Sequence, residues 1–155
     1  MQNTIEKFYK AFSNLDAETM ASCYHNEIVF QDPAFGLLEG EQARNMWRML
    51  CSSQTKETFT VDFNTISVNG NFGFAHWEAH YLFSKTGRKV HNKIDARFEF
   101  KEGLIVKHTD DFNLHAWAKQ ALGFKGILLG GTKFFQRKLN AQTHAMLHTF
   151  EAKHS

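Results

Sequence analysis

The middle of the chain, between residues 55 and about 114, alternates apolar and polar side chains with the period of two that is typical of β-strands. Phe59, Val61 and Phe63 open this pattern, and Asn69-Gly70 is the strongest short-range hairpin signal in the chain. We therefore predict an antiparallel meander over this region. Other parts of the chain must cover its apolar face.

Apolar residues at helical spacing predict three helices before the meander. The first covers Thr4–Phe12, the second runs from an N-cap at Asp16 to Tyr24, and the third covers Glu41–Ser52. A short strand is predicted at Ile28–Phe30. With 155 residues, the chain suits one domain with a sizeable core.

A change of phase inside the first long strand, between Phe63 and Ile66, predicts a β-bulge near Asn64 or Thr65. Such a bulge would curl the sheet around the helices and enclose a conical space. The expected fold class is therefore α+β, with a curved antiparallel sheet wrapped around N-terminal helices.

Helical spacing returns after the meander. It predicts a helix over Leu114–Leu122, a loop over Gly123–Gly131 and a long helix over Thr132–Lys153. The apolar stripe predicted for this last helix consists of Phe135, Leu139, Met146 and Phe150. We expect the helix to pack on the domain or on a second subunit.

Charge pairing predicts the register of the second hairpin. A loop at Ser84–Gly87 places His76 opposite Asp95 and Glu78 opposite Lys93, on an outward face. The same register turns Trp77 inward, opposite Ile94. His76, Glu78 and His80 share the outer face at a spacing that zinc sites use, but Lys93 places a cation beside them, and we expect no metal.

The turn after Phe100 decides where His108 and Asp110 point. A three-residue loop pairs Phe100 with Leu104 and turns both side chains into the apolar interior, which is the register we favour. A two-residue loop that pairs Lys101 with Leu104 would turn both to solvent.

Two segments carry a resemblance to a known family. They are "FQDPAFG" after the first strand and "FEFKEGLIVKHTDDFNLHAWAKQALG" near the end of the meander. With the order of the elements, they make the chain similar to the NTF2-like superfamily. Within it, the chain resembles the SnoaL-like group, which includes ketosteroid isomerases, limonene epoxide hydrolases and polyketide cyclases. The resemblance implies an NTF2-like cone over residues 1–123, with residues 124–155 as a C-terminal helical extension of the same domain.

The resemblance also implies roles for acids. Asp32, before Pro33, matches the proton-shuttling base of ketosteroid isomerases, and Asp110 looks like the last-strand acid of limonene epoxide hydrolases. The tyrosine that stabilises an oxyanion in the isomerases falls at Phe8, with Tyr9 beside it. Their second acid lies one strand position from Asp95, which leaves Ala96 at the inward place. Tyr24 matches an aromatic that joins the hydrogen-bond network in some members.

Elementary electrostatics gives each acid two interpretations. Inside an apolar cone, desolvation would raise the pKa of Asp32 toward the range useful for proton transfer at neutral pH. Alternatively, Asp32 caps a turn that Pro33 ends. His108 could support Asp110 in catalysis, or the two could be a satisfied buried polar pair partnered by Asn92.

Aromatic and polar side chains are predicted to line the cone as a ligand-binding surface, unless they fill it as core. They are Phe8, Tyr9, Phe12, Tyr24, Phe35, Trp47, Trp77, Asn92, Phe98 and Phe112.

Two functions follow as hypotheses. The first is an enzyme that acts on a small apolar ligand without a cofactor, using Asp32, Asp110 and His108. The second is a non-catalytic ligand-binding or dimerisation module. Interspersed charges with a net charge of +2 disfavour nucleic acid, and no apolar run suggests a membrane partner. We expect a cytoplasmic protein that binds a small molecule and forms the homodimers common in the superfamily.

Overall fold

The computed structural model describes residues 1–154, and it confirms an α+β fold in which N-terminal helices pack on a curved sheet. The helices are α1 (Gln2–Ser13), α2 (Ala17–Ser22), α3 (Glu41–Ser52), α4 (Leu114–Leu122), α5 (Phe124–Leu129) and α6 (Lys133–His154). The strands are β1 (Tyr24–Asp32), β2 (Gly36–Glu39), β3 (Thr60–Asn69), β4 (Phe72–Leu82), β5 (Lys89–Lys101) and β6 (Leu104–Asp111). They form one sheet in the order β2-β1-β6-β5-β4-β3.

The first helix buries the stripe that its sequence predicts. Ile5, Phe8 and Tyr9 are fully buried and Phe12 nearly so, because positions i, i+3, i+4 and i+7 share one helix face. Asp16 caps α2 as expected, since its carboxylate accepts from the Thr19 N–H over 3.1 Å.

The region around β1 differs from the prediction in four ways. The second helix ends at Ser22 rather than Tyr24, because Tyr24 already begins β1. Strand β1 is longer than the predicted Ile28–Phe30, because polar residues at its start interrupt the apolar pattern. Strand β2 was not predicted. Strand β1 also pairs in parallel with β6, with Phe30 beside His108 and Gln31 beside Thr109, so the sheet is mixed rather than antiparallel throughout.

Charge pairing predicted the register of β4 and β5 correctly. His76 lies opposite Asp95, and Glu78 lies opposite Lys93. The predicted bulge in β3 is also confirmed, because its pairing with β4 shifts between Asn64 and Ser67. Thr65, inside that interval, has a φ of 52°.

The three-residue loop predicted between β5 and β6 was wrong, but the predicted inward orientation of His108 and Asp110 is correct. Lys101 pairs with Leu104, as in the two-residue alternative, but the register then shifts between Glu99 and Phe100. This irregularity reverses the phase of β6. His108 and Asp110 are therefore buried, at 0% and 4% exposure, although the loop alone would have turned them to solvent. Asp110 lies opposite Ala96.

Two predictions at the C-terminal end need correction. The predicted loop after α4 contains the short helix α5, and one member of the stripe predicted for α6 is exposed, although Phe135, Leu139 and Phe150 pack against the apolar clusters as predicted. Met146 is 46% exposed whereas Leu147 is fully buried, because α6 contacts the β1–β2 turn and α3 with its neighbouring face. Ser155, the last residue of the predicted extension, lies outside the described residues.

Within residues 1–154, none of the helices combines the length and the apolar character needed to span a bilayer.

Candidate functional site

Aromatic rings fill the space between α1, α3 and the concave face of the sheet. Phe8 stacks on Tyr24 at 5.5 Å between ring centroids and meets His108 edge-on at 5.4 Å. Trp47 stacks on the His108 ring at 6.0 Å. The predicted lining residues Phe12, Phe35, Trp77 and Phe98 are buried in the same core. Much of the predicted lining therefore packs ring against ring.

A chain of hydrogen bonds runs through this aromatic core. The Trp47 indole N–H donates to the Tyr24 hydroxyl over 2.8 Å, and that hydroxyl lies 2.7 Å from Nδ1 of His108. Because an indole can only donate, the single Tyr24 hydrogen is left for His108, and Nδ1 accepts it. A ring that accepts at Nδ1 carries its proton on Nε2, which donates to Asp110 Oδ1 over 2.9 Å.

Asp110 stands at the end of this chain of hydrogen bonds. Its Oδ1 also accepts from the Trp77 indole over 3.3 Å. Among the described residues, Oδ2 of Asp110 makes no hydrogen bond. The predicted pairing of His108 with Asp110 is thus present, but Trp77 is the further partner rather than Asn92, which lies half-buried opposite Ala79. One carboxylate oxygen is fixed and the other is unused.

Asp32 lies on the neighbouring strand at the same level. Gln31 and Thr109 are paired across β1 and β6, and Asp32 and Asp110 are the next residue on each strand. Both side chains follow the inward Phe30 and His108 by two positions, so they share the concave face. The two acids therefore meet at the edge of the aromatic core.

The turn after β1 holds Asp32 in one orientation. Its Oδ1 accepts from the backbone N–H groups of Ala34 and Phe35, at 2.9 and 2.6 Å. Pro33 ends the strand, and Gly36 closes the turn with a φ of 71°. The turn-capping interpretation of Asp32 is therefore confirmed, and it leaves Oδ2 without a hydrogen bond among the described residues.

Burial raises the pKa of the Asp32 carboxyl to about 7, and the nearby charge of Asp110 adds to the rise. The two backbone N–H groups oppose it, because they stabilise the charged form. The effect of desolvation is larger than that of the two hydrogen bonds, so the net shift of the pKa is upward.

Tyr9 carries the one buried side-chain polar atom in the described residues that has no hydrogen-bond partner. Its ring stacks on Phe63 at 5.6 Å and leans on Trp77 at 5.8 Å. Burial raises the pKa of the hydroxyl well above its usual value, and the charge of Asp110 contributes to the rise. The unpaired hydroxyl donor near Asp110 is therefore that of Tyr9, whereas the aligned position, Phe8, has no hydroxyl.

Helix α6 fastens the Asp32 turn from outside. The Asn140 amide donates to the carbonyls of Pro33 and Ala34, at 3.0 and 2.7 Å. Thr143 donates to the Ala34 carbonyl over 3.0 Å, and Nε2 of His144 lies 2.6 Å from the Phe35 carbonyl. Sequence reasoning missed these contacts because they join residues more than 100 positions apart. Polar side chains on one face of α6 were the available signal.

A second apolar cluster lies beyond Asp32. Trp117 and Val90 are buried there, with the predicted ligand residue Phe112 packed at its edge. The Trp117 indole donates to the Tyr81 hydroxyl over 2.7 Å. The charge of Asp32 contributes to raising the pKa of Tyr81, after burial. Helix α4 thus covers the side of the sheet toward which Asp32 and Asp110 lie.

The outward face of β4 and β5 carries a network of imidazoles and acids. His76 bridges Asp95 and Glu78, at 2.8 Å to each, and Nε2 of His91 lies 2.6 Å from Glu78. Hydrogen bonds to Asp95 and Glu78 raise the pKa of His76. Among residues 1–154, no three His, Cys, Asp or Glu side chains are arranged to hold a metal ion.

Solved structures share this fold at low sequence identity. An epoxide hydrolase of the LEH-like type from M. tuberculosis superposes with a TM-score of 0.60 at 18% identity, over 83% of this chain and 89% of that one. TerC, crystallised with polyporic acid, superposes with a TM-score of 0.64 at 14% identity, over 76% of this chain and 95% of that one. A putative polyketide cyclase from Xanthomonas campestris superposes with a TM-score of 0.61 at 18% identity, over 76% of this chain and 93% of that one.

No curated protein sequence matches the chain significantly. The SnoaL-like domain, in contrast, matches residues 5–108, which include every element from the first buried turn of α1 to the His108 imidazole. The chain therefore belongs to the SnoaL-like domain family of the NTF2-like superfamily.

Proposed function

We propose that this chain is an acid–base enzyme that acts on a small, largely apolar ligand at the Asp32–Asp110 pair. The observation that carries the proposal is the position of these two carboxyl groups. They follow a paired position on adjacent strands, share the concave face, and each keeps one oxygen free of hydrogen bonds among the described residues.

The pair is suited to hold one proton at neutral pH. Two neighbouring carboxylates disfavour each other's charge, and a pKa of about 7 at Asp32 puts the shared proton there. A protonated carboxyl beside a carboxylate provides a general acid and a general base in one site.

His108 serves as a positioning residue in this proposal. Its Nε2–H fixes one oxygen of Asp110, and Tyr24 and Trp47 fix the ring behind it. The free Asp110 oxygen is thereby directed by a network that is itself buried. The unpaired Tyr9 hydroxyl supplies a donor for a ligand oxygen, which answers the lack of such a group at Phe8.

Hydrolysis of an epoxide is one reaction that this arrangement could perform. Asp110 would take a proton from a water that attacks a ring carbon, while Asp32 gives its proton to the ring oxygen as the carbon–oxygen bond breaks. The product is a diol, and proton transfer from Asp110 to Asp32 restores the pair. Cyclisation or isomerisation of a carbonyl compound would use the same donor and acceptor. Two proteins of the same fold, an LEH-like epoxide hydrolase and a putative polyketide cyclase, support these reaction types.

A ligand can reach the Asp32–Asp110 pair only if the 33–35 turn or helix α4 moves. The α6 contacts hold the 33–35 turn over Asp32, and α4 closes the adjacent side. The grooves described on the surface lie elsewhere, at α1 and between α2, α3 and α6, with volumes of about 420 and 540 Å³.

A second candidate function is a non-catalytic binding or dimerisation module. The dense packing of rings around Phe8, Tyr9 and Trp47 favours it, because side chains occupy space that a ligand would need.

Turnover of probe substrates distinguishes the two candidates. Cyclohexene oxide and limonene oxide test hydrolysis, and 5-androstene-3,17-dione tests isomerisation. We expect turnover of at least one probe that Asp32→Asn and Asp110→Asn each abolish while the circular dichroism spectrum is unchanged. Asp111→Asn is the matched control, because this neighbouring acid is exposed and faces outward. Equal turnover in wild type and Asp32→Asn would reject the proposal.

A further inference from the structure

Exposed apolar side chains concentrate at one place on the surface. Of the ten large apolar residues that are exposed, five lie between positions 124 and 134. These five form what we call the α5 ridge, and they are Phe124 (73% exposed), Ile127 (53%), Leu128 (62%), Leu129 (48%) and Phe134 (61%). Isolated exposed apolar residues are ordinary, whereas a cluster of this kind marks an interaction surface.

The glycine at the centre of α5 explains why the ridge points outward. A Cβ atom at Gly126 would collide with the backbone of Ala118 in α4, so this face of α5 lies directly against α4. At 100° per residue, Phe124, Ile127 and Leu128 fall within one 100° stripe roughly opposite Gly126. The small face holds the helix on the protein, and the large apolar face is turned away from it.

The segment that carries the ridge is basic. Between Phe112 and Phe150 the sequence has five basic residues and no acidic residue, although acids and bases are interspersed elsewhere. The five are Lys119, Lys125, Lys133, Arg137 and Lys138, and all are exposed. An apolar ridge in a segment whose Lys and Arg side chains are exposed and which has no acid is complementary to a partner that is apolar inside and anionic at its surface.

A second copy of this chain fits the ridge poorly. In a two-fold dimer the same patch would face itself, so these cations would oppose one another without an acid of the same segment to pair with. A protein groove would also need to match the ridge in shape, whereas a bilayer accepts a convex apolar tip of any outline.

We propose that the α5 ridge docks the protein on an anionic lipid bilayer. The large apolar side chains enter the boundary between headgroups and acyl chains, and the surrounding lysines and arginine contact lipid phosphates. This peripheral attachment needs no spanning helix. It revises the expectation that the chain has no membrane partner.

Co-sedimentation with vesicles tests the proposal. Wild-type protein should sediment with vesicles of phosphatidylcholine mixed with phosphatidylglycerol, should bind pure phosphatidylcholine far more weakly, and should be released by added salt. The double variant Phe124→Ser/Leu128→Ser should lose at least about tenfold in lipid affinity. Lys133→Gln/Arg137→Gln should lose about fivefold for each charge removed.

Phe72→Ser is the matched control, because Phe72 is as exposed as the ridge residues, at 61%, but lies on β4. It should bind vesicles like wild type, and all variants should keep their melting temperature. Absence of wild-type binding to anionic vesicles at low salt would overturn the proposal. So would unchanged binding by the ridge variant, or a ridge-dependent dimer in sedimentation velocity that forms without lipid.

Discussion

Asp32 and Asp110 reach the same site from β1 and β6, two strands that are neighbours in the sheet although their paired positions, such as Gln31 and Thr109, lie 78 to 81 residues apart along the chain. The parallel pairing brings Asp32 beside an acid that is fixed by a buried imidazole. Burial raises the pKa of the Asp32 carboxyl to about 7, and the neighbouring charge of Asp110 adds to the rise.

Replacing Asp32 by asparagine should make the fold more stable at pH 8. The raised pKa means that the folded state binds more protons than the unfolded state between about pH 4 and 7, so wild-type stability falls as pH rises through this range. Asparagine keeps the acceptor for Ala34 and Phe35 but has no charge to bury. We expect Asp32→Asn to raise the free energy of unfolding on the order of 2 kcal/mol at pH 8, with no difference near pH 4.

Urea denaturation at the two pH values measures this difference. Parallel pH profiles for wild type and variant would show that the carboxyl of Asp32 titrates normally in the folded protein.

Two tyrosines of the core should lose very different amounts of stability when their hydroxyl group is removed. Tyr24→Phe leaves the Trp47 N–H and His108 Nδ1 without partners, and it should cost about 1–3 kcal/mol of stability. Tyr9→Phe removes a hydroxyl that has no partner among the described residues, so its cost should stay under about 0.5 kcal/mol. Chemical denaturation compares them, and equal losses would contradict the network described around Tyr24.

The hydrogen bonds from Asn140, Thr143 and His144 of α6, which we call the Asn140 clamp, should stabilise the Asp32 turn. Asn140→Ala removes hydrogen bonds to the Pro33 and Ala34 carbonyls and should cost about 1 kcal/mol. It should also speed hydrogen exchange at the Ala34 and Phe35 amides, which bond to Asp32. Gln142→Ala, on the exposed face of the same helix, should change neither quantity. Unchanged exchange at both amides in Asn140→Ala would show that the turn is held without α6.

Gly126→Ala should detach α5 from α4. The added Cβ meets backbone atoms of Ala118, which cannot move aside as a side chain can, so we expect a loss of about 1–3 kcal/mol. Gly131→Ala is the control, because its Cβ would meet only the His115 ring, at 3.1 Å. Similar melting temperatures for Gly126→Ala and wild type would contradict the close packing of α5 on α4.

Local pattern predicted those parts of the fold that local pattern determines. Opposite charges at His76/Asp95 and Glu78/Lys93 fixed the register of β4 and β5, and the phase change after Phe63 indicated the bulge. The β5–β6 turn shows the limit of this reasoning. The shift between Glu99 and Phe100 turns His108 inward after the two-residue loop, and no residue pattern in the sequence predicted it.

The missed features depend on contacts between distant segments. Helix α5 was predicted as loop because glycines surround it, yet Gly126 is there to allow contact with α4. The Asn140 clamp joins α6 to a turn more than 100 residues earlier. The polar side chains of Asn140, Thr143 and His144 mark one face of α6, but they do not identify the turn that this face meets.

The most direct test of the central claim is a 13C NMR titration of the aspartate carboxyl groups in wild type and in Asp110→Asn. We predict that Asp32 titrates near pH 7 in the wild type and at a lower pH in Asp110→Asn, because one neighbouring negative charge is gone. An Asp32 carboxyl that titrates near pH 4 in both proteins would contradict the account, since the pair would then hold no proton to transfer at neutral pH.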